Sequence, residues 1–259
     1  MRCIFCLKTG GTFDTVEHLV PASLGGDEVL PHGLVCDQCN NYLGRDVERS
    51  ALTTPLFTFL RAALCVPNRT GRQVEHQGLG YELFGQNSGT PGAVLYPPKL
   101  RRLLQEGNGK FLIPHDGFGA ITRLILKMGL EAAALAPELD VYSSSFDSAR
   151  RAVRAPSRHA TWELAGGAVA YSDLREVGED DEGPFEKRLV FTYEFVPDPT
   201  TRTLLFFFVY NWATFLVSLA GANLAEQVTG FNERNTIERR LSISTVSLLD
   251  KRPELSLSE

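Results

Sequence analysis

Four of the five cysteines in this 259-residue chain form two pairs, Cys3 and Cys6 in CIFC and Cys36 and Cys39 in CDQC. Zinc favours four tetrahedral ligands, and two such knuckles deliver four thiolates from two chain turns. That closed set makes a structural site rather than a catalytic one. The run Leu7–Val35 between the pairs is longer than a zinc ribbon leaves, so a hairpin-sized piece is looped out. Inside it lies TVEHLVPASLGG, residues 15–26. Strand-like alternation there puts Val16 and His18 on one face and Glu17 on the other. Val20–Pro21 ends that strand and Gly25–Gly26 marks a turn. Asn40 follows Cys39 directly, where a helix through NNYLGRDVERS begins. It reads as a helix cap or as a functional amide pinned by the knuckle beside it.

The elements that must position these residues follow from pattern. The segment RDVERSALTTPLFTFLRAALCVPN reads as a helix interrupted near Pro55. Residues 68–92, rich in Gly, Asn and Gln, read as turns and short strands. Residues 118–135, FGAITRLILKMGLEAAAL, form the clearest helix. Phe118, Ile121, Leu124, Ile125, Met128, Ala132 and Leu135 make its apolar, core-directed face. SFDSARRAVRA adds a short helix. Strands are expected around 161–173, 188–196 and 203–218, separated by the acidic loop EVGEDDEG. The uncharged run 203–225 approaches the length of a membrane span. Its β-forming composition and the Asn211 in its middle favour two buried strands with a turn near 210–212. The fold class is therefore α+β: a small zinc module over residues 1–66, then a larger α+β domain over 67–259.

The combination of CxxC, EHLVP, LGG and CDQCN resembles the HNH endonucleases of the ββα-metal type, and among them those with a four-cysteine zinc site. The resemblance covers about residues 1–50. It implies a hairpin and a helix gripping one divalent ion, Mg²⁺ or Mn²⁺, with Glu17 and Asn40 as ligands and His18 as the base that activates water. Phosphodiester cleavage needs a nucleophile, charge compensation on the phosphate and support for the leaving oxygen, and one hard cation serves the last two. A carboxylate and an amide oxygen suit Mg²⁺, and a neutral imidazole suits proton removal from water near neutral pH. The chain departs from the family where a middle Asn is usual. LPHGLV places His32 there, which keeps a hydrogen-bonding group but suits a supporting role.

The expected function is a metal-dependent endonuclease acting on DNA, with bacterial restriction or antiphage defence as an analogy. The alternative is a zinc-stabilised nucleic-acid or protein adaptor whose nuclease site has decayed. A net charge of −5 means that nucleic-acid contact has to come from local basic patches, the metal, a protein partner or a homo-oligomer. Basic clusters at Lys99–Arg101–Arg102, Arg150–Arg151–Arg154–Arg158 and Arg234–Arg239–Arg240 read as solvated helix faces. His76, His115 and His159 have no ligand-spaced partner, and Cys65 reads as a small buried apolar side chain. Paired cysteines without a secretory leader point to a reducing cytoplasm.

Overall fold

The computed structural model describes residues 1–68, 70–78, 81–87, 89, 92–95, 117–168, 191–197, 204–211, 213–221, 224–234 and 241–249. The N-terminal part is built around the helix α1, Asp37–Tyr42. It continues through a π-helical stretch, Leu43–Glu48, into α2, Arg49–Leu52. The chain breaks at Thr53–Thr54, and α3, Pro55–Ala63, restarts with proline at its first position, where a missing N–H costs nothing. Next come β1 (Glu75–Gly78), β2 (Tyr81–Phe84) and β3 (Gly92–Leu95), an antiparallel sheet in that order. The long helix α4, Phe118–Leu135, and the short α5, Asp147–Arg154, follow.

The C-terminal sheet holds β4 (Thr161–Ala168), β5 (Phe191–Pro197), β6 (Leu204–Tyr210), β7 (Ala213–Ser218) and β8 (Ser242–Ser247), with α6, Ala225–Arg234, between the last two. Its order is β5-β6-β7-β4-β8, antiparallel throughout. The uncharged segment is thus the β6–β7 hairpin, and Asn211 in its turn takes a positive φ of 48°. No helix among the described residues is long and apolar enough to cross a membrane. Phe206, Phe208 and Tyr210 share one buried face of β6 and stack in register, as alternation requires. Lys99, Arg101, Arg102, His115, the EVGEDDEG loop, Arg239 and Arg240 lie outside the described residues.

α4 departs from its expected amphipathic form. It is buried on nearly every side, from Ile121 to Ala133, and the buried set includes Arg123, Lys127 and Glu131. These three stand at i, i+4 and i+8, one stripe of the helix. One hydrophobic cluster runs from Ile4, Leu19, Leu24 and Leu43 of the N-terminal part through Phe57 and Leu124 to Phe208 and Tyr210. The apolar core therefore continues across the expected boundary after residue 66. Cys65 is only half-buried and takes a positive φ of 53°.

Close packing fixes one glycine of α4. A Cβ at Gly119 would stand 2.0 Å from the Ser247 carbonyl oxygen, a backbone atom at the end of β8. Replacing a helix-interior glycine by alanine ordinarily adds up to about 1 kcal/mol. Here we predict the opposite sign, with Gly119→Ala losing about 1–3 kcal/mol of stability. Denaturant unfolding of the two proteins checks it, and an unchanged or higher midpoint contradicts it.

Candidate active site and metal centre

The four cysteines converge: their sulfurs all lie within 4.8 Å of one another, and the Cys6 and Cys36 sulfurs are 3.8 Å apart. A tetrahedral zinc with bonds of about 2.3 Å requires sulfurs about 3.8 Å apart, so the set fits zinc in number, type and spacing. A hydrogen bond with Cys39 lowers the Cys3 thiol to about 4 despite partial burial. The same bond pushes Cys39 up. A sulfur already disposed to be a thiolate is what a metal needs.

The C-terminal part grips this cluster from outside. Arg150, buried on α5, donates from Nε to the Ile4 carbonyl at 2.8 Å, inside the first knuckle. It also bonds the carbonyls of Ser143 and Val141 and pairs with Asp147. The Tyr142 hydroxyl donates to the Arg2 carbonyl at 2.9 Å, and the Arg2 guanidinium covers the Tyr142 ring. Arg150 thus leaves the solvated cluster expected from sequence and becomes part of the scaffold.

The expected hairpin is present in reduced form. Its pairing is a single antiparallel bridge between His18 and Val29. Leu19 N donates to Glu28 O at 3.1 Å, and Leu30 N donates to Glu17 O at 2.9 Å. The LGG turn closes on itself. Gly25 takes a φ of 86° after the short 3₁₀ turn Ala22–Leu24, and a Cβ at Gly26 would meet the Val20 carbonyl oxygen at 2.0 Å. Alternation holds locally, with Val16 exposed, Glu17 buried and His18 half-buried.

Two side chains of α1 lash the helix to this segment. The Asp37 carboxylate accepts from the Thr15 amide at 2.8 Å and its hydroxyl at 2.7 Å. Hydrogen bonds from the Thr12 and Thr15 side chains hold Asp37 below the usual carboxylate range. Asn40 donates from Nδ2 to the Val16 carbonyl at 3.0 Å. A carbonyl accepts and never donates, so this contact engages the amide nitrogen and leaves the oxygen outside it. Asn40 is therefore brought to the residue preceding Glu17. His32 is exposed on the loop leading to the second knuckle, with no hydrogen bond to His18 among the described residues.

Glu17 turns inward, to a partner that sequence reasoning missed. Its Oε1 accepts from Lys127 Nζ at 2.7 Å. The same ammonium lies 2.8 Å from Glu48 Oε1 and 3.0 Å from Glu131 Oε2, and it donates to the His18 carbonyl at 3.1 Å. Lys127 and Glu131 are 0 % exposed and Glu17 is 6 % exposed. Burial alone would push Lys127 down, but Glu131, Glu17 and Glu48 reverse this and hold it above the ordinary lysine range. Burial raises Glu17, with Lys127 pulling against it. Burial raises Glu131 well above the usual carboxylate range, again against Lys127. One turn away, Arg123 donates to the Tyr42 hydroxyl and the Val153 carbonyl, both at 2.7 Å. The signal available in sequence was charge recurring every four residues, Arg123, Lys127 and Glu131, inside an otherwise apolar helix.

Residues 3–56 match the family model described as HNH endonuclease, about a fifth of the chain. This segment is an HNH endonuclease module, and it contains all four clustered cysteines, the EHLVP segment and α1. No curated protein and no solved structure matches the chain.

Two outcomes follow. Purified protein is expected to carry about one zinc per chain, and Cys39→Ser to lose it and expose residues 1–52 to protease, because a closed thiolate site contributes folding energy directly. Metal analysis with limited proteolysis checks this, and a zinc-free but resistant variant contradicts it. Glu131 gives the second. Its raised pKa means the folded state binds a proton that the unfolded chain has released above the ordinary carboxylate range. Its contribution to stability is full in acid and is lost as pH climbs. Glu131→Gln is therefore predicted to gain on the wild type as pH rises above the ordinary carboxylate range, by at most about 1.4 kcal/mol per pH unit. Urea midpoints over that rise check it, and a pH-independent difference contradicts it.

Proposed function

We propose that the chain is a metal-dependent HNH endonuclease hydrolysing DNA phosphodiesters to leave a 5′-phosphate, its zinc serving structure alone. The observation that carries this reading is the meeting of Asn40, placed by the second cysteine knuckle, with the carbonyl of Val16, the residue before Glu17. Glu17 and Asn40 offer a carboxylate and an amide oxygen, a donor pair suited to a hard divalent ion such as Mg²⁺ or Mn²⁺, and His18 offers an imidazole as base.

When bound there, such an ion supplies charge neutralisation at the phosphate and stabilisation of the leaving oxygen. His18, half-buried and held by its main chain on both sides, takes the proton from the attacking water. Asn40 and Glu17 serve as the ion's protein ligands, with Asn40 also holding the hairpin against α1. His32 takes a supporting place on the exposed rim of the same loop. The DNA target, a setting in restriction or antiphage defence and a cytoplasmic location belong to the same proposal. Recruitment by a protein partner or a homo-oligomer accommodates the acidic overall charge.

Plasmid and single-stranded DNA, incubated with Mg²⁺ or Mn²⁺, test the proposal against a His18→Ala control. We expect cleavage by the wild type and a loss of at least about 10²-fold in the variant, the usual range for a missing general base. DNA binding should change little. Equal cleavage by both proteins, or by neither across substrates and metals, would overturn the reading, and the second outcome favours a binding adaptor.

A further inference from the structure

A fully buried ammonium is costly unless oxygen surrounds it, and Lys127 has four oxygens within 3.1 Å. Their sources are what matter. Glu131 lies on the same helix, one turn on. Glu48 ends the π-helical stretch that continues α1 and so belongs to the piece carrying Asn40. Glu17 Oε1 and the His18 carbonyl belong to the hairpin. One side chain from residues outside the matched segment thus ties together both halves of the HNH module. It does so at the two adjacent residues to which the proposed function gives metal binding and proton transfer.

Stability alone is a poor reason for this arrangement. A buried ion cluster is often no more stabilising than apolar side chains of the same volume. What an apolar side chain cannot do is donate to a carboxylate and a carbonyl and so fix their directions. Donors behind a metal-ligating carboxylate perform that task, leaving the second carboxylate oxygen for the ion. We infer that Lys127 is a positioning residue of the nuclease site. Its ammonium aims the Glu17 carboxylate and anchors the His18 main chain, so that α4 completes a module which the segment 3–56 does not complete by itself. This inference rests on the HNH reading of Glu17 and His18.

Lys127→Met and Lys127→Arg in the zinc-loaded, full-length protein test it. Circular dichroism and zinc content establish that each variant is folded. Mn²⁺ affinity is read from the electron-spin resonance of free Mn²⁺, and kcat and KM from DNA cleavage. We expect Lys127→Met to weaken Mn²⁺ binding by about 10–100-fold and to lower kcat over a similar range, with KM for DNA within about threefold. Arginine, which keeps the charge but not the geometry, should fall between. A folded, zinc-replete Lys127→Met with wild-type Mn²⁺ affinity and kcat overturns the inference. Should that variant fail to fold, Lys127→Arg decides. Wild-type values overturn the inference, and a selective loss of kcat and Mn²⁺ affinity supports it. The two readings separate cleanly. A wild type that binds Mn²⁺ but cleaves nothing sinks the nuclease reading, and the Mn²⁺ affinities of the variants still decide the role of Lys127. A wild type that binds no Mn²⁺ overturns the inference itself.

Discussion

An ammonium ion removed from water has to be met by oxygen on every donor, and much of this molecule is arranged to satisfy that demand at Lys127. The requirement sets the rotation of α4 about its axis, because the stripe Arg123–Lys127–Glu131 has to face the HNH module. It also explains why a helix read as apolar on one face is buried on nearly all of them. The polar stripe is buried from solvent, with Lys127 and the Arg123 amino group met by oxygen. With three carboxylates converging on one cation, full ionisation of every member is unfavourable. The structure responds by raising the carboxyl that is deepest, Glu131.

The four-cysteine cluster and the Lys127 cluster divide the work of holding residues 1–52. Four thiolates fix the two knuckles relative to each other, and the second knuckle delivers Asp37 and Asn40 to the hairpin. The hairpin has too little pairing to stand by itself, with one bridge and two flanking backbone bonds. Its remaining support comes from side chains: its own Leu19, Val20, Leu24 and Leu30 in the core, and the bonds from Asp37, Asn40, Tyr210 and Lys127. A minimal hairpin held from both sides keeps His18 accessible while its main chain is fixed.

Whatever was local in the chain was legible from sequence. CxxC spacing is a covalent property, so the convergence of Cys3, Cys6, Cys36 and Cys39 followed from two short motifs. The helix at 118–135 was legible to its ends, and Asn211 marked the β6–β7 turn because a short amide side chain tolerates positive φ. The alternation of TVEHLV fits a buried Glu17 next to a half-buried His18 but could not say what Glu17 would meet. Its partner is 110 positions away, and nothing in the local pattern encodes that pairing. Arg150 was misread for the same reason. In sequence it is one of four basic residues on a short helix, whereas in space it belongs to a carbonyl in the first knuckle, 146 positions earlier. The family match ends at residue 56, and the apolar core runs on past it.

That grip on the first knuckle has a temporal side. A chain is synthesised from its N-terminus, so Ile4 leaves the ribosome long before Arg150, and closing so large a loop is entropically slow. During that interval the cysteines can take up metal, but the knuckle's outer face has neither its guanidinium clamp nor the Tyr142 hydroxyl. The hairpin likewise waits for α4. The N-terminal segment is therefore born first and finished late, and the Lys127 contact behind His18 exists only once α4 has been made.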